Sequence, residues 1–380
     1  MSLLQAACFL GPGFFLPFFP IWLQGRSLSP SIIGIVVAIP IVVRTFVTAP
    51  LVSLADGPLG ARRLLLISLT GQLLGFPLLM LAQDGATIMV LVAMIAVTQA
   101  GIIPINDLVI TSAIHRHKVL DYGRMRGIGS MAFVVANIAA GYLVGAFGPN
   151  AVLVALSLFP LLGLAAALFA VPHDIHEPST RRGDQTTPDS RKLPQVLWIL
   201  IIATALTQGS HGALNGFASI HWQKLGIPDA TIGYFWAVGV IAEIMVFMLL
   251  GRAVGRGYGL GLMLIGSSAA IVRFSILALN PGVEVTLVLQ AMHGLSFGAT
   301  HLGTMAALST LSPVQARGRA QGVYASLACF TNAVTTVASG MIYKDVGAAI
   351  FAAMVPMAVM GLALTMVAAT QLKAQPQREG

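Results

Sequence analysis

Twelve apolar runs, each about long enough to cross a bilayer as a helix, restrict what this 380-residue sequence can fold into. A helix rises 1.5 Å per residue, so about 20 apolar residues span the hydrocarbon. The runs fall near residues 3–23, 31–53, 64–82, 86–110, 126–147, 150–171, 195–219, 230–250, 259–279, 284–307, 320–341 and 347–370. Backbone in lipid must satisfy its own hydrogen bonds, so these runs are helices. The chain has 57% apolar and 9% charged residues, and its loops are too short to hold a soluble domain. Cys8 and Cys329 lie inside apolar runs and imply neither a disulfide framework nor a zinc site.

Charge orients the helices. Of 21 Lys and Arg, only Arg26, Lys224 and Lys344 lie in odd-numbered loops. Arg62 and Arg63; Arg116, Lys118 and Arg124; Arg181, Arg182, Arg191 and Lys192; Arg252 and Arg256; Arg317 and Arg319; Lys373 and Arg378 lie in even-numbered loops, the central linker or the tail. The positive-inside rule therefore places both termini and the linker in the cytoplasm of a bacterial-type inner (plasma) membrane. The first run has no basic segment before it and no small-residue cleavage site after it, so it reads as a retained span. The net charge of +8 follows from this topology and is no sign of nucleic-acid binding.

The expected domains are a six-helix half at 1–171, a cytoplasmic linker at 172–194, a second six-helix half at 195–371 and a tail at 372–380. The linker, PHDIHEPSTRRGDQTTPDSRKLP, is polar and proline-bearing. The halves repeat. At an offset of 199 residues Phe18, Ile21, Gln24, Ile33, Gly34 and Ala38 match Phe217, Ile220, Gln223, Ile232, Gly233 and Ala237, and Arg44 falls opposite Glu243. Arg124-x-Arg126-x-x-Gly129 likewise matches Arg317-x-Arg319-x-x-Gly322. An even number of spans per half gives a parallel, pseudo-symmetric repeat.

Ionisable residues inside successive spans carry the functional signal. Glu243 lies in the eighth, Arg273 in the ninth, and His293 and His301 in the tenth. A charge at a helix centre costs about 2.5–3.5 kcal/mol to insert, so it faces protein or a watery path. Either the set is a proton or substrate path, or it is a structural cluster that fixes helix register. Asn106 and Asp107 end the fourth span, Arg126 opens the fifth, and Arg44 lies in the second. Phe15, Phe18, Trp22 and Trp236 supply either apolar surface for a ring or core packing. In the loop LADGPLGARR, Asp56, Arg62 and Arg63 form a charged turn at the membrane edge. His115 and His117 read as solvated loop residues without a metal.

Two patterns are decoys. Gly294-Leu295-Ser296-Phe297-Gly298 fits G-x-S-x-G, but it lies mid-span where no strand-to-helix turn is available. GRGYGLG follows no strand, so it is no phosphate cradle.

The stretches DYGRMRGIGSMAFV, QGSHGALNGFASIHWQKLG, VGVIAEI, IVRF and MHGLSFGATHL resemble the major facilitator superfamily, in the group of the lactose permease and, closer, the 3-phenylpropionate permease-like proton symporters. The resemblance covers nearly the whole chain and implies an all-α integral membrane fold of twelve helices in two halves. It implies that Asp107 and Arg126 pair for substrate binding and that Glu243, Arg273 and His293 handle the proton. The sugar permease has a second acid three residues beyond that histidine, where this chain has Ser296. Its proton-release step therefore does not carry over. The phenylpropionate-type sequences share that departure and, like this chain, have a second histidine, here His301.

The resulting expectation is a monomeric, non-enzymatic transporter without cofactor or metal, coupling protons to a small organic solute by alternating access. Burial favours a proton on Glu243 and a nearby Arg273 favours the carboxylate. The substrate set is Asp107, Arg126, Arg44, Trp22, His211 and Trp236; the proton set is Glu243, Arg273, His293 and His301; the gating set is Asp56, Arg62 and Arg63. An aromatic carboxylate is the favoured solute, with nucleoside or sugar symport next and drug antiport after that. A membrane enzyme would need converging nucleophile, base and oxyanion donors, which the sequence lacks.

Overall fold

The computed structural model describes residues 1–57, 59–116, 122–171, 192–251 and 259–374. The linker at 172–191, His117, Arg252, Arg256, Arg378 and the side chains of Asp56 and His115 lie outside the described residues.

The described residues are helical throughout and contain no strand. The first six spans are α1 (Ser2–Gly25), α2 (Pro30–Ser53), α3 (Gly60–Leu81), α4 with α5 (Gly85–Ala100 and Ile102–Arg116), α6 (Tyr122–Phe147) and α7 (Asn150–Ala170). Then follow α8 with α9 (Gln195–Gly209 and Gly212–Lys224), α10 (Asp229–Leu250), α11 (Gly259–Leu277), α12 and α13 (Val283–Ala291 and Thr300–Leu311), α14 (Arg317–Val346) and α15 with α16 (Ala349–Ala352 and Val355–Ala374). Eleven of these spans are long and apolar enough to cross a membrane as helices. The remaining span, the tenth, from Val283 to Leu311, is interrupted by a π-helical turn at Gly294–Ala299.

Local chemistry explains where the helices begin and stop. Ser29 accepts the Ile32 N–H ahead of Pro30, the first residue of α2. Asp84 accepts the Thr87 N–H at 2.9 Å, and this bond holds its carboxyl below the usual range. Gly148 takes a φ of +77° after α6, a conformation that a side chain would strain. Phe169, 93% exposed, together with Leu81, Met248 and Leu279, covers the outer surface with apolar area. In water that surface would be a liability; in a bilayer it is the lipid contact.

The chain divides into two compact units, Met1–Arg181 with Gly216–Ala237, and Arg182–Asn215 with Val238–Gly380. In the first, α1 packs on α6 and α7, and Leu4, Leu64, Leu65, Ile105, Val109 and Ala167 form a core. Arg62 donates to the carbonyls of Val171, at 2.8 Å, and Leu168, so it ties α3 to the end of α7. Arg63 is exposed. Residues 216–237 join this unit through glycine contacts. A methyl at Gly141 would meet the Asp229 carbonyl oxygen at 2.5 Å, and one at Gly233 would meet that of Asn137 at 2.5 Å.

In the second unit α8 packs on α14 and α16, and α11 on α13 and α16. Hydroxyl pairs stitch these helices together: Thr204 with Thr304 at 2.8 Å and Thr207 with Ser267 at 3.0 Å. At the α11–α13 crossing the backbones nearly touch, and a methyl at Gly303 would overlap the Gly259 carbonyl oxygen and press Met263 Cγ at 2.7 Å. Gly303→Ala should therefore lower the thermal midpoint of the purified protein, at a cost of about 1–3 kcal/mol. Gly261→Ala, in open space on α11, should leave the midpoint unchanged or raise it. Equal midpoints for the two variants would contradict the close crossing.

Candidate functional site

The sequence QGSHG breaks the seventh span between α8 and α9, and the break places His211. Gly209 and Gly212 let α14 come close enough for its threonines to satisfy the freed carbonyls. Thr335 donates to Gly209 at 2.6 Å and Thr336 to Gly212 at 3.3 Å. His211 is 1% exposed at this break.

Around it lies a polar cluster enclosed by apolar helices. The Arg273 guanidinium, 0% exposed, donates to His293 Nδ1 at 3.1 Å, to Ser296 Oγ at 3.4 Å and to Gln290 Oε1 at 2.8 Å. His293 Nε2 lies 3.9 Å from Glu243 Oε2, and both side chains are mostly buried. The His211 ring meets Thr207 carbonyl oxygen through Nδ1 and Ser296 Oγ through Nε2, each at 3.2 Å. It packs edge-on to His293, Phe274 and Phe297.

Donor and acceptor rules give these bonds a direction. Arginine has no acceptor, so His293 Nδ1 must accept and the ring proton sits on Nε2, facing Glu243. The Thr207 carbonyl cannot donate, so His211 carries its proton on Nδ1. Its Nε2 then accepts a hydrogen bond from the Ser296 hydroxyl, while Ser296 Oγ accepts from Arg273. Two arms thus leave one buried cation: one through His293 to Glu243, the other through Ser296 and His211 to backbone.

The π-helical turn supplies Ser296. Such turns recur at functional positions because they re-aim side chains. Gly294 lets this turn approach α10, where a methyl would meet the Ala242 carbonyl oxygen at 2.6 Å, one residue before Glu243. Phe297 stacks on His293 at 5.2 Å, and its carbonyl accepts from Gln208 Nε2 at 3.3 Å. The Ser296–His211 contact is no hydrolase pair. It sits on a helical turn with Ser296 fully buried and already bonded to Arg273.

The expected proton-set residues do not all meet. Glu243, His293 and Arg273 gather, but His301 lies eight residues beyond His293, roughly 12 Å along the span. There His301 Nδ1 faces the Tyr324 hydroxyl at 3.1 Å. His211, expected with the substrate set, belongs to the Arg273 cluster. Ser296 and Gln290 are members that the sequence reading did not assign, although Gln290-x-x-His293-x-x-Ser296 spacing puts all three near one helix face.

The other expected substrate residues lie in the first unit. Asn106 Nδ2 donates to Gln5 Oε1 across α5 and α1, while the Oδ1 atoms of Asn106 and Asp107 are buried without hydrogen-bond partners. Arg126 is exposed and stands over the Phe9 ring at 4.9 Å, rather than forming the expected ion pair with Asp107. Arg44 is exposed on α2. Trp22 lies about 25 Å along α1 from Gln5. It donates to Asn150 Oδ1 at 3.1 Å beside Arg26, whose guanidinium stands 4.9 Å above the indole. Trp236 donates to Ser219 Oγ at 2.9 Å. Among the described residues no group of three His, Cys, Asp or Glu side chains gathers to hold a metal.

Comparison with known proteins places this chain among transporters. The family model described as "MFS_1 like family" matches residues 8–353. The chain is 29% identical over 351 residues to the "Probable 3-phenylpropionic acid transporter" of Escherichia coli (strain K12), covering 90% of each. It is 25% identical over 326 residues to the "Maltose permease" of Geobacillus stearothermophilus, covering 84% of this chain and 80% of the relative. The crystal structure of the nucleoside transporter NupG superposes with a TM-score of 0.80 at 16% identity, covering 98% of each chain. A bacterial homologue of the human lysosomal transporter Spinster gives 0.70 at 13% identity, covering 100% of this chain and 97% of that one.

The two ring tautomers are directly measurable. In nitrogen-15 spectra of histidine-labelled protein at neutral pH, His293 should show its proton on Nε2 and His211 on Nδ1, assigned by loss of each signal in His→Gln variants. The opposite tautomer at His293 would break the arm to Glu243.

Proposed function

This chain belongs to the MFS_1 like family, and from that premise we propose that it is a proton-coupled symporter of a small organic solute. The coarse part is established: it is a multi-pass transporter of the major facilitator fold and not an enzyme. The finer reading is uptake by alternating access through an inner membrane, with both termini cytoplasmic. The loop charges support that orientation.

The Glu243–His293–Arg273 arm is the observation that carries proton coupling. Glu243 is the titrating member, His293 holds it in line with the cation, and Arg273 is the fixed charge against which it gains or loses a proton. Where the sugar permease resemblance implies a second acid, Ser296 passes a hydrogen bond from Arg273 to His211. Coupling in this chain therefore rests on one acid. His301, paired with Tyr324, stands outside the arm.

An aromatic monocarboxylate is the favoured solute, supported by the relative described as a probable 3-phenylpropionic acid transporter. Sugar symport is the second reading, favoured by the likeness to a maltose permease. Arg126, Asp107 and Asn106 in the first unit would contact the solute, the latter two through their unpartnered buried oxygens.

Net uptake requires the empty carrier to return without its proton, whereas exchange cycles only the loaded form. Glu243→Gln should abolish pH-gradient-driven accumulation in proteoliposomes while exchange of external for internal solute persists. Accumulation at the wild-type level in this variant would remove Glu243 from the coupling step.

A further inference from the structure

Arg273 poses a charge problem that its neighbours do not solve. The guanidinium is 0% exposed, and among the described residues it bonds only neutral groups: His293, Ser296 and Gln290. Glu243 Oε2 lies 3.9 Å from Nε2 of the His293 ring, whose Nδ1 meets Arg273. A buried charge without a counter-charge costs several kcal/mol, a cost that an anion bound beside it would offset.

The unfilled atoms indicate where. Arg273 Nε has no hydrogen-bond partner, and neither has Gln290 Nε2. The Gln290 amide orientation is forced, because its oxygen must face the arginine that donates to it at 2.8 Å. Its nitrogen is thus a donor left over beside the same guanidinium, on a side chain 2% exposed. Two buried N–H donors on touching side chains, one of them cationic, match the two oxygens of a carboxylate.

We propose that Arg273 and Gln290 form the seat for the transported solute's carboxylate. The proposal rests on the transporter reading above and deepens it, since the sequence alone placed Arg44 and Arg126, and not Arg273, in the substrate set. Arg126 is the weaker choice. It is exposed over Phe9, and the neighbouring Asp107 has an unpartnered buried oxygen that repels an anion and suits a donor. The seat also gives a role to the Gln290 amide nitrogen, which the bond between Gln290 Oε1 and Arg273 leaves unpaired. A solute carboxylate on Arg273 and an ionised Glu243 then compete for one positive charge. Solute binding therefore pairs with a protonated Glu243, one proton per monoanion.

The test compares 3-phenylpropionate with its neutral amide, 3-phenylpropanamide, in equilibrium titrations of the purified full-length protein followed by tryptophan fluorescence. Wild type should prefer the acid by about 30-fold, the worth of a charge-assisted pair. Gln290→Leu should weaken acid binding about tenfold and leave amide binding unchanged. Gln290→Glu, which puts a carboxylate into the seat, should abolish the preference; thermal midpoints show whether each variant is folded, and Gln290→Leu serves if Gln290→Glu is not. Equal or absent binding of acid and amide by wild type overturns the proposal. So does a preference that survives in the Gln290 variants but disappears in Arg126→Gln. Solute-driven proton uptake into proteoliposomes separates the two readings. Acid preference without proton uptake sinks symport and leaves the seat; proton uptake with the preference intact in the Gln290 variants sinks the seat alone.

Discussion

A guanidinium enclosed by apolar helices, bonded only to neutral groups, is the constraint from which the rest of the second unit follows. Its two terminal nitrogens are met by side-chain acceptors, while its Nε is buried without a partner. Gln290, His293 and Ser296 come from one span and meet it from one side. His211 accepts the hydrogen bond of the Ser296 hydroxyl from the break in the seventh span at Gly209 and Gly212, where threonines of α14 meet the freed carbonyls. One cation is thus linked through successive hydrogen bonds to the helix break.

The first unit offers a different chemistry. Within α5 the unpartnered buried side-chain atoms are oxygens, on Asn106 and Asp107, whereas on Arg273 and Gln290 they are N–H groups. Arg62, placed by sequence in a gating turn, instead ties off the last carbonyls of α7. Charged residues at a membrane edge serve helix ends as readily as they serve gates.

How much could be read from the chain alone follows from what hydrophobicity encodes. Apolar runs at membrane length report spans directly, so the helical architecture was legible, and charges inside them drew attention to Glu243, Arg273 and His293. Grouping was harder. His301 and His293 share a span, yet eight residues of rise separate them, and only His293 meets Arg273. Trp22 could have been set apart from Asp107 by counting rise along α1. Gln290 and the bond of Ser296 to Arg273 are not legible in sequence, because uncharged polar residues are unremarkable in a span until a buried cation is known to need them. The compact units were not legible either. Their boundary cuts through α9 and α10, where Gly141 and Gly233 allow backbone contact that no hydrophobic pattern records.

The π-helical turn has a consequence in the currency of codons. Each such turn is an α-helix with one surplus residue wound into it, so the twelve-helix pattern survives its removal while the residues on either side rotate by one position. A descendant that lost one codon between His293 and Thr300 would keep its span and its membrane topology. It would turn Ser296 away from Arg273, exchanging the neighbour of a buried cation in a single genetic event. Relatives that differ in length by one residue across this stretch should therefore be compared by the face each side chain occupies, since column-by-column pairing would match Ser296 with a residue that points elsewhere.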